Sequence, residues 1–222
     1  MGDLPKERVK GYQVFYVTGS DFCGPFFYKS EVRNKASIKC YISVFICFTI
    51  KAVHLELVRD LSTAAFLHAL RRFVSIRKKP RQIWSDNATN FVGAKNQLSE
   101  LKRLFLSDEH QRAVLNFFLA ESIEWKFIPP RSPHFGGLWE AAVKTAKYHF
   151  YSVVGSAVLK ADDFQTLVYK IAAVINSRPL VPHSENPADP DVLTPNQFLH
   201  GGPPSSFSEP DLTKLNINRL DA

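Results

Sequence analysis

The chain has 222 residues, 45% of them hydrophobic, with 28 Lys and Arg against 21 Asp and Glu for a formal charge of +7. That balance speaks against wholesale disorder, and the basic surplus suits a polyanionic partner without demanding one. The longest apolar run, Tyr41 to Ile50, falls far short of the ~20 residues of a membrane span, so a soluble chain with no membrane partner is expected.

Residues 1–12 read as a polar leader without the apolar stretch of a signal peptide. Gln13 to Tyr28 is rich in aromatic and β-branched residues, which predicts a strand ending near Asp21 and resuming after the Gly24-Pro25 turn. Ile38 to Ile50 is almost continuously apolar, as in a strand buried on both faces. Val53 to Val58 alternates, placing His54, Glu56 and Val58 on the second face of a half-exposed strand. Phe66, Leu67, Leu70, Phe73 and Val74 then recur at helical spacing behind a Ser62 or Thr63 cap, and Pro80 stops that helix.

Gln82 to Ser85 predicts a short strand running straight into Asp86. Leu98 to Phe105 suggests a helix, 112–120 continues helical, and Ile123 to Ile128 is a strand followed by a Pro-rich loop. Helices are predicted at 138–152 and 163–176. From 179 to 222 prolines are frequent and periodicity is lost, so an extended, truncated tail is expected beyond a core of 13–178. Three leading strands, then strands separated by helices, argue for an α/β domain with a mixed sheet.

Three carboxylates stand apart from the polar surface. Asp21 follows Phe15-Tyr16-Val17, Asp86 follows Ile83-Trp84-Ser85, and Glu140 opens a helix after Gly136-Gly137. Open α/β sheets place ligand sites at the carboxyl ends of strands. Converging carboxylates repel unless cations neutralise them, and hard oxygen donors favour magnesium or manganese. The bland reading, caps and turn formers, remains open on pattern alone. In the helix after Glu140, Trp139, Ala142, Val143, Ala146 and Phe150 form an apolar face, while Glu140, Lys144, Lys147 and Tyr151 form a second stripe.

The densest basic cluster, Arg71, Arg72, Arg77, Lys78, Lys79 and Arg81, reads as a solvated helix end, with DNA phosphates the minority alternative. Trp84, Trp125 and Trp139 read as core. The histidines, His54 included, lack paired ligand spacing and read as structural; Glu56 is the main rival carboxylate. Cys23, Cys40 and Cys47 form no CxxC, which points away from a zinc knuckle or disulfide scaffold and toward a reducing compartment.

The strings VTGSDFCGPFF, IWSDNATNFVGA, FIPPRSPHFGGLWEAAVKTAKYH, INSRPL and LTPNQFLHG resemble, in order and spacing, the integrase region of BEL/Pao-type LTR retrotransposons, within the retroviral integrase superfamily. The resemblance implies an RNase H-like fold, a five-stranded mixed sheet flanked by helices. It implies a D-D-E polynucleotidyl transferase for DNA integration, with Asp21, Asp86 and Glu140 as catalytic residues and ligands of two Mg2+ or Mn2+ ions. Lys144, Lys147, Asn90, Arg131 and His134 are its candidate DNA contacts. Ser20 stands where the family generally carries an apolar residue.

Element ends and target DNA, a homo-oligomer, and an intracellular site of action in the nucleus follow as further expectations. The family's zinc domain and trailing DNA-binding segment have no counterpart in these residues. Two alternatives therefore stand beside the transferase: an inactive or co-opted DNA-binding or interaction module, and a nuclease using the same carboxylates with water alone.

Overall fold

β-branched and aromatic residues dominate the first half of the chain, and they form three consecutive antiparallel strands: β1 (Val17–Tyr28), β2 (Ile38–Cys47) and β3 (Val53–Val58). A computed structural model describes residues 13–32, 35–60, 62–85, 108–127, 136–155, 157–182 and 192–202. Helix α1 (Thr63–Arg77) follows, its first turn capped by the Ser62 hydroxyl accepting from the Ala65 amide at 3.1 Å. Strand β4 (Gln82–Ser85), helix α2 (Asp108–Ala120) and strand β5 (Glu124–Phe127) come next, then the long helices α3 (Gly137–Val154) and α4 (Ala161–Asn176). The five-stranded sheet runs in the order β3-β2-β1-β4-β5, with β4 parallel to both β1 and β5. A mixed sheet flanked by helices is what the element order predicts.

Strand alternation divides the core in two. Val17, Cys23, Ile42, Val44, Ile46 and Leu55 pack against α3 and α4; Phe22, Tyr41, Phe45 and Ile83 pack against α1 and α2. β1 differs from expectation: it does not end near Asp21 but continues through it, shifting register between Cys23 and Phe26 where Gly24-Pro25 interrupts the pairing. All three cysteines are buried thiols, and burial pushes those of Cys23 and Cys40 up to about 12.

β3 also departs from its expected half-exposure, because all six residues are buried. Its second face is polar yet enclosed. His54 Nε2 lies 2.9 Å from Glu56 Oε1, and Arg72 of α1 donates its Nε to Glu56 Oε2 at 2.6 Å. Arg77 Nε donates to His54 Nδ1 at 3.4 Å, which leaves the proton on Nε2 facing Glu56. Part of the basic cluster expected to be solvated is engaged by β3: Arg72, still exposed, satisfies a carboxylate that has no exposed surface, and Arg77 satisfies the histidine beside it.

The 175–180 motif holds the edge of the sheet. The Asn176 side chain accepts from the Val53 amide at 2.7 Å and donates to its carbonyl at 2.8 Å, replacing a neighbouring strand at β3's open side. Arg178 donates to the Ile175 and Lys51 carbonyls. Within the stretch expected to be an extended tail, β6 (Val181–Pro182) pairs with β7 (Val192–Leu193), and a short helix α5 (Pro195–His200) follows. Its Thr194–Gln197 capping box and Pro195 at the first turn explain why it forms among so many prolines. Asn196 ties it to α4 through Ala173 O and Ser177 Oγ. The helix expected over 98–105 falls outside the described residues.

Burial alone would raise the Glu56 carboxyl, but the hydrogen bonds from His54 and Arg72, with the Arg72 charge, outweigh it and hold it below the ordinary carboxylate value. This stabilisation is complete above the unfolded pKa of about 4.3 and is lost as pH falls through the lower folded value. Urea titrations at pH 7 and in the acid range are expected to show a steeper acid loss in the parent than in Glu56→Gln. Arg72→Leu, by orphaning the carboxylate, is expected to cost about 2–3 kcal/mol at pH 7. That lies below the ~3–5 of a wholly buried pair, because the Arg72 side chain is 46% exposed.

Candidate active site

The site is fixed by a contact between a bulky residue and an absent side chain. Trp139, in the first turn of α3, has no exposed surface. Its ring lies on Gly19 of β1, where an added Cβ would come within 2.5 Å of Trp139 Cε3 and 3.1 Å of Ile46 Cγ2. Phe48 stands between Trp139 and Trp84, with ring centroids 6.1 and 6.0 Å away, and Trp84 pairs with Gly19 across the sheet. Trp84 and Trp125 are only partly buried, so Trp139 alone of the three is the full core residue expected. Helix α3 is thereby locked in height and rotation against the junction of β1 and β4.

Asp21 lies two residues beyond Gly19 and two before Cys23, on the same side of β1. Gly19 underlies Trp139, and the Cys23 thiol reaches the Val143 carbonyl at 3.9 Å. Asp21 thus sits beneath the 139–143 segment, which contains Glu140. Its register partner Val44 belongs to the core on that face. The Asp21 carboxylate is half-buried, and Oδ1 accepts from the Phe22 amide at 2.7 Å, which orients the group. Glu140 is exposed in the first turn of α3, where the helix dipole favours a negative charge.

The second stripe of α3 borders the same half of β1. Burial raises the Cys23 thiol, the Lys147 charge opposes that rise and the Asp21 charge adds to it, so both charges lie close to that sulfur. Lys144 is exposed and Lys147 half-buried. The structure therefore brings the charges of Asp21 and Lys147 to Cys23, under the helix whose first turn carries Glu140. β4 ends beside Asp21: Ser20, next to it, pairs with Ser85, the residue before Asp86 in the sequence. Asp86 itself, with Asn90, Arg131 and His134, lies outside the described residues. Among the described residues no three His, Cys, Asp or Glu side chains form a metal-holding group.

Two contributors leave little trace in the sequence. Gly19 shows there only as a strand breaker, although a glycine in a strand often marks close approach by another element. Cys23 carries no pattern that reveals its place against the Val143 carbonyl of α3. Of the rival features, Glu56 faces the α1 side and belongs to the buried His54–Arg72 network, and Arg71 covers the Phe117 ring at 5.4 Å.

No protein-family model matches the sequence, and no curated protein matches it. Solved structures do. The chain is similar over 95% of its length to a chain of the simian T-cell lymphotropic virus intasome in complex with PP2A regulatory subunit B56 gamma, at 17% identity and a TM-score of 0.56. It spans 64% of that chain, less than two thirds of its length. It is also similar to the HTLV-2 integrase catalytic core domain in complex with magnesium, in a dimeric form (15% identity, TM-score 0.53) and a trimeric form (18%, 0.51). Those two likenesses cover 86% of this chain and all of the viral domain. The fold is that of a retroviral integrase catalytic core. In this RNase H-like integrase-core fold, Asp21 lies on β1 beside the end of β4, under helix α3. Among the described residues no helix is long and apolar enough to cross a membrane.

Gly19→Ala is expected to cost about 1–3 kcal/mol through overpacking against Trp139 and to change the near-ultraviolet dichroism of the indoles. In a Trp139→Phe background the same substitution is expected to cost less, which a double-mutant cycle of urea midpoints would measure.

Proposed function

We propose that the chain is a metal-dependent D-D-E polynucleotidyl transferase core of the BEL/Pao retrotransposon type, acting on DNA in 3′-processing and strand transfer. The observation that supports this reading is Asp21 on β1, beside the end of β4 and under the helix that Glu140 opens, in an integrase-core fold. Asp21, Asp86 and Glu140 would hold two Mg2+ or Mn2+ ions. Their donor set, carboxylate oxygen alone, suits hard divalent cations. The bound metal supplies charge neutralisation, activation of the attacking oxygen and stabilisation of the leaving oxygen of a phosphodiester.

The chain's own part is placement. Asp21 is held by the Phe22 amide, and Glu140 starts a helix seated by Trp139, so the backbone that carries each is in place before DNA arrives. Lys144 and Lys147, four and seven residues beyond Glu140, offer cations to the backbone of the strand whose phosphodiester reacts. Asn90, Arg131 and His134 belong to the same proposed DNA contact. A homo-oligomer acting in the nucleus fits this reading, and the magnesium-bound HTLV-2 cores are themselves dimeric and trimeric forms.

The test is incubation of labelled element-end DNA with Mg2+ or Mn2+, scoring cleaved and joined products. Both are expected from the parent chain. Asp86→Asn, Asp21→Asn and Glu140→Gln are each expected to reduce both to background while leaving the circular dichroism spectrum and DNA binding intact. Cleavage without joining would favour a hydrolytic nuclease, and neither product a non-catalytic binding module. For Lys144→Glu with Lys147→Glu, the slope of log K against log salt is expected to shrink by about 0.9 for each duplex phosphate that the chain no longer neutralises.

A further inference from the structure

Where β1 shifts register after Cys23, a hollow of about 390 Å³ opens between the strand and the far half of α3. That volume falls within the range of small-ligand sites, about 300–1,000 Å³. Phe26 and Phe150 are buried and form its floor, with ring centroids 4.4 Å apart. Phe27, Tyr151 and Val158 line it while keeping about half their surfaces exposed, at 51, 54 and 48%. Lys147 brings a cation to its lining, and the same charge acts on Cys23 beside the Asp21 face. An aromatic-walled hollow with a cation at one end, next to a carboxylate-bearing face, has the chemistry of a base-and-phosphate site.

We propose that this hollow receives one unstacked base of the DNA strand engaged at the carboxylates, with Lys147 on the adjoining phosphate and the Tyr151 ring against the base. The inference rests on the DNA-transferase reading above and adds where the strand goes after the reacting phosphodiester. Gly24, at the near edge, is three residues beyond Asp21, about 10 Å along the strand. Stacked nucleotides rise about 3.4 Å each, so the captured base belongs within about three nucleotides of the reacting bond.

The experiment is an abasic scan across the terminal nucleotides of an overhanging element-end DNA. Binding to the full chain is read by anisotropy in Ca2+, which avoids turnover. One position is expected at which loss of the base weakens binding about ten-fold. Tyr151→Ala should weaken binding of intact DNA by a similar factor and abolish the penalty at that position, while Tyr151→Phe keeps it. Val158→Trp, which fills the hollow from its exposed rim, should act like Tyr151→Ala without touching the floor. A flat scan overturns the proposal, as does a Tyr151→Ala chain that still feels the missing base. So does concentration-dependent self-association that Val158→Trp removes while base selectivity persists, because the hollow would then be covered by a second copy. The underlying reading fails separately: a selective scan with no joined product in Mg2+ sinks the transferase and leaves the hollow, whereas joined product with a flat scan does the reverse.

Discussion

The meeting of Trp139 with Gly19 is the contact on which the rest depends. A helix packed on a sheet by aliphatic side chains alone can slide and rotate with small loss, because ridges and grooves repeat. A fully enclosed indole seated where the strand has no side chain cannot, since any displacement either opens a void or drives the ring into backbone. Everything attributed to α3, from Glu140 in its first turn to Tyr151 three turns on, inherits its position from that one seat.

The opposite face solves a different problem. Glu56 sits on the strand next but one to Asp21, yet it is engaged by His54 and Arg72 beneath α1. Two carboxylates of one sheet are thus assigned to different faces by alternation alone. One is saturated with protein donors on the α1 side, and the other lies within β1 on the α3 side, where the Lys147 charge also acts. A carboxylate already holding an arginine and a histidine has little left to offer a cation or a substrate. The saturated network is the stabilising one.

How much of this is legible in the sequence follows from what periodicity encodes. β4 over Gln82–Ser85 and the apolar faces of α3 and α4 are legible, because repeated burial of apolar residues leaves a direct trace. β3 misleads because a polar residue at every second position looks the same whether water or a distant arginine satisfies it. Arg72 lies sixteen residues from Glu56, beyond any local pattern. β1 is cut short in the sequence because Gly24-Pro25 reads as a turn, whereas the sheet absorbs it as a register shift. Helix α5 is hidden by its prolines, although Thr194-Pro195-Asn196-Gln197 carries a complete cap. For the candidate site, the residue types come through in the sequence, while the seat of Trp139 on Gly19 that fixes α3 against β1 is a property of tertiary contact.

The three thiols have a use that needs no DNA. Cys23 and Cys40 sit on adjoining central strands and Cys47 at the far end of one of them, each sealed from solvent. An alkylating reagent can reach them only when the strands part, and a thiol near 12 offers almost no thiolate until they do. Labelling kinetics in native buffer would therefore act as a clock for sheet opening, reporting whether the strand that carries Asp21 breathes separately from its neighbour or only when the whole domain unfolds.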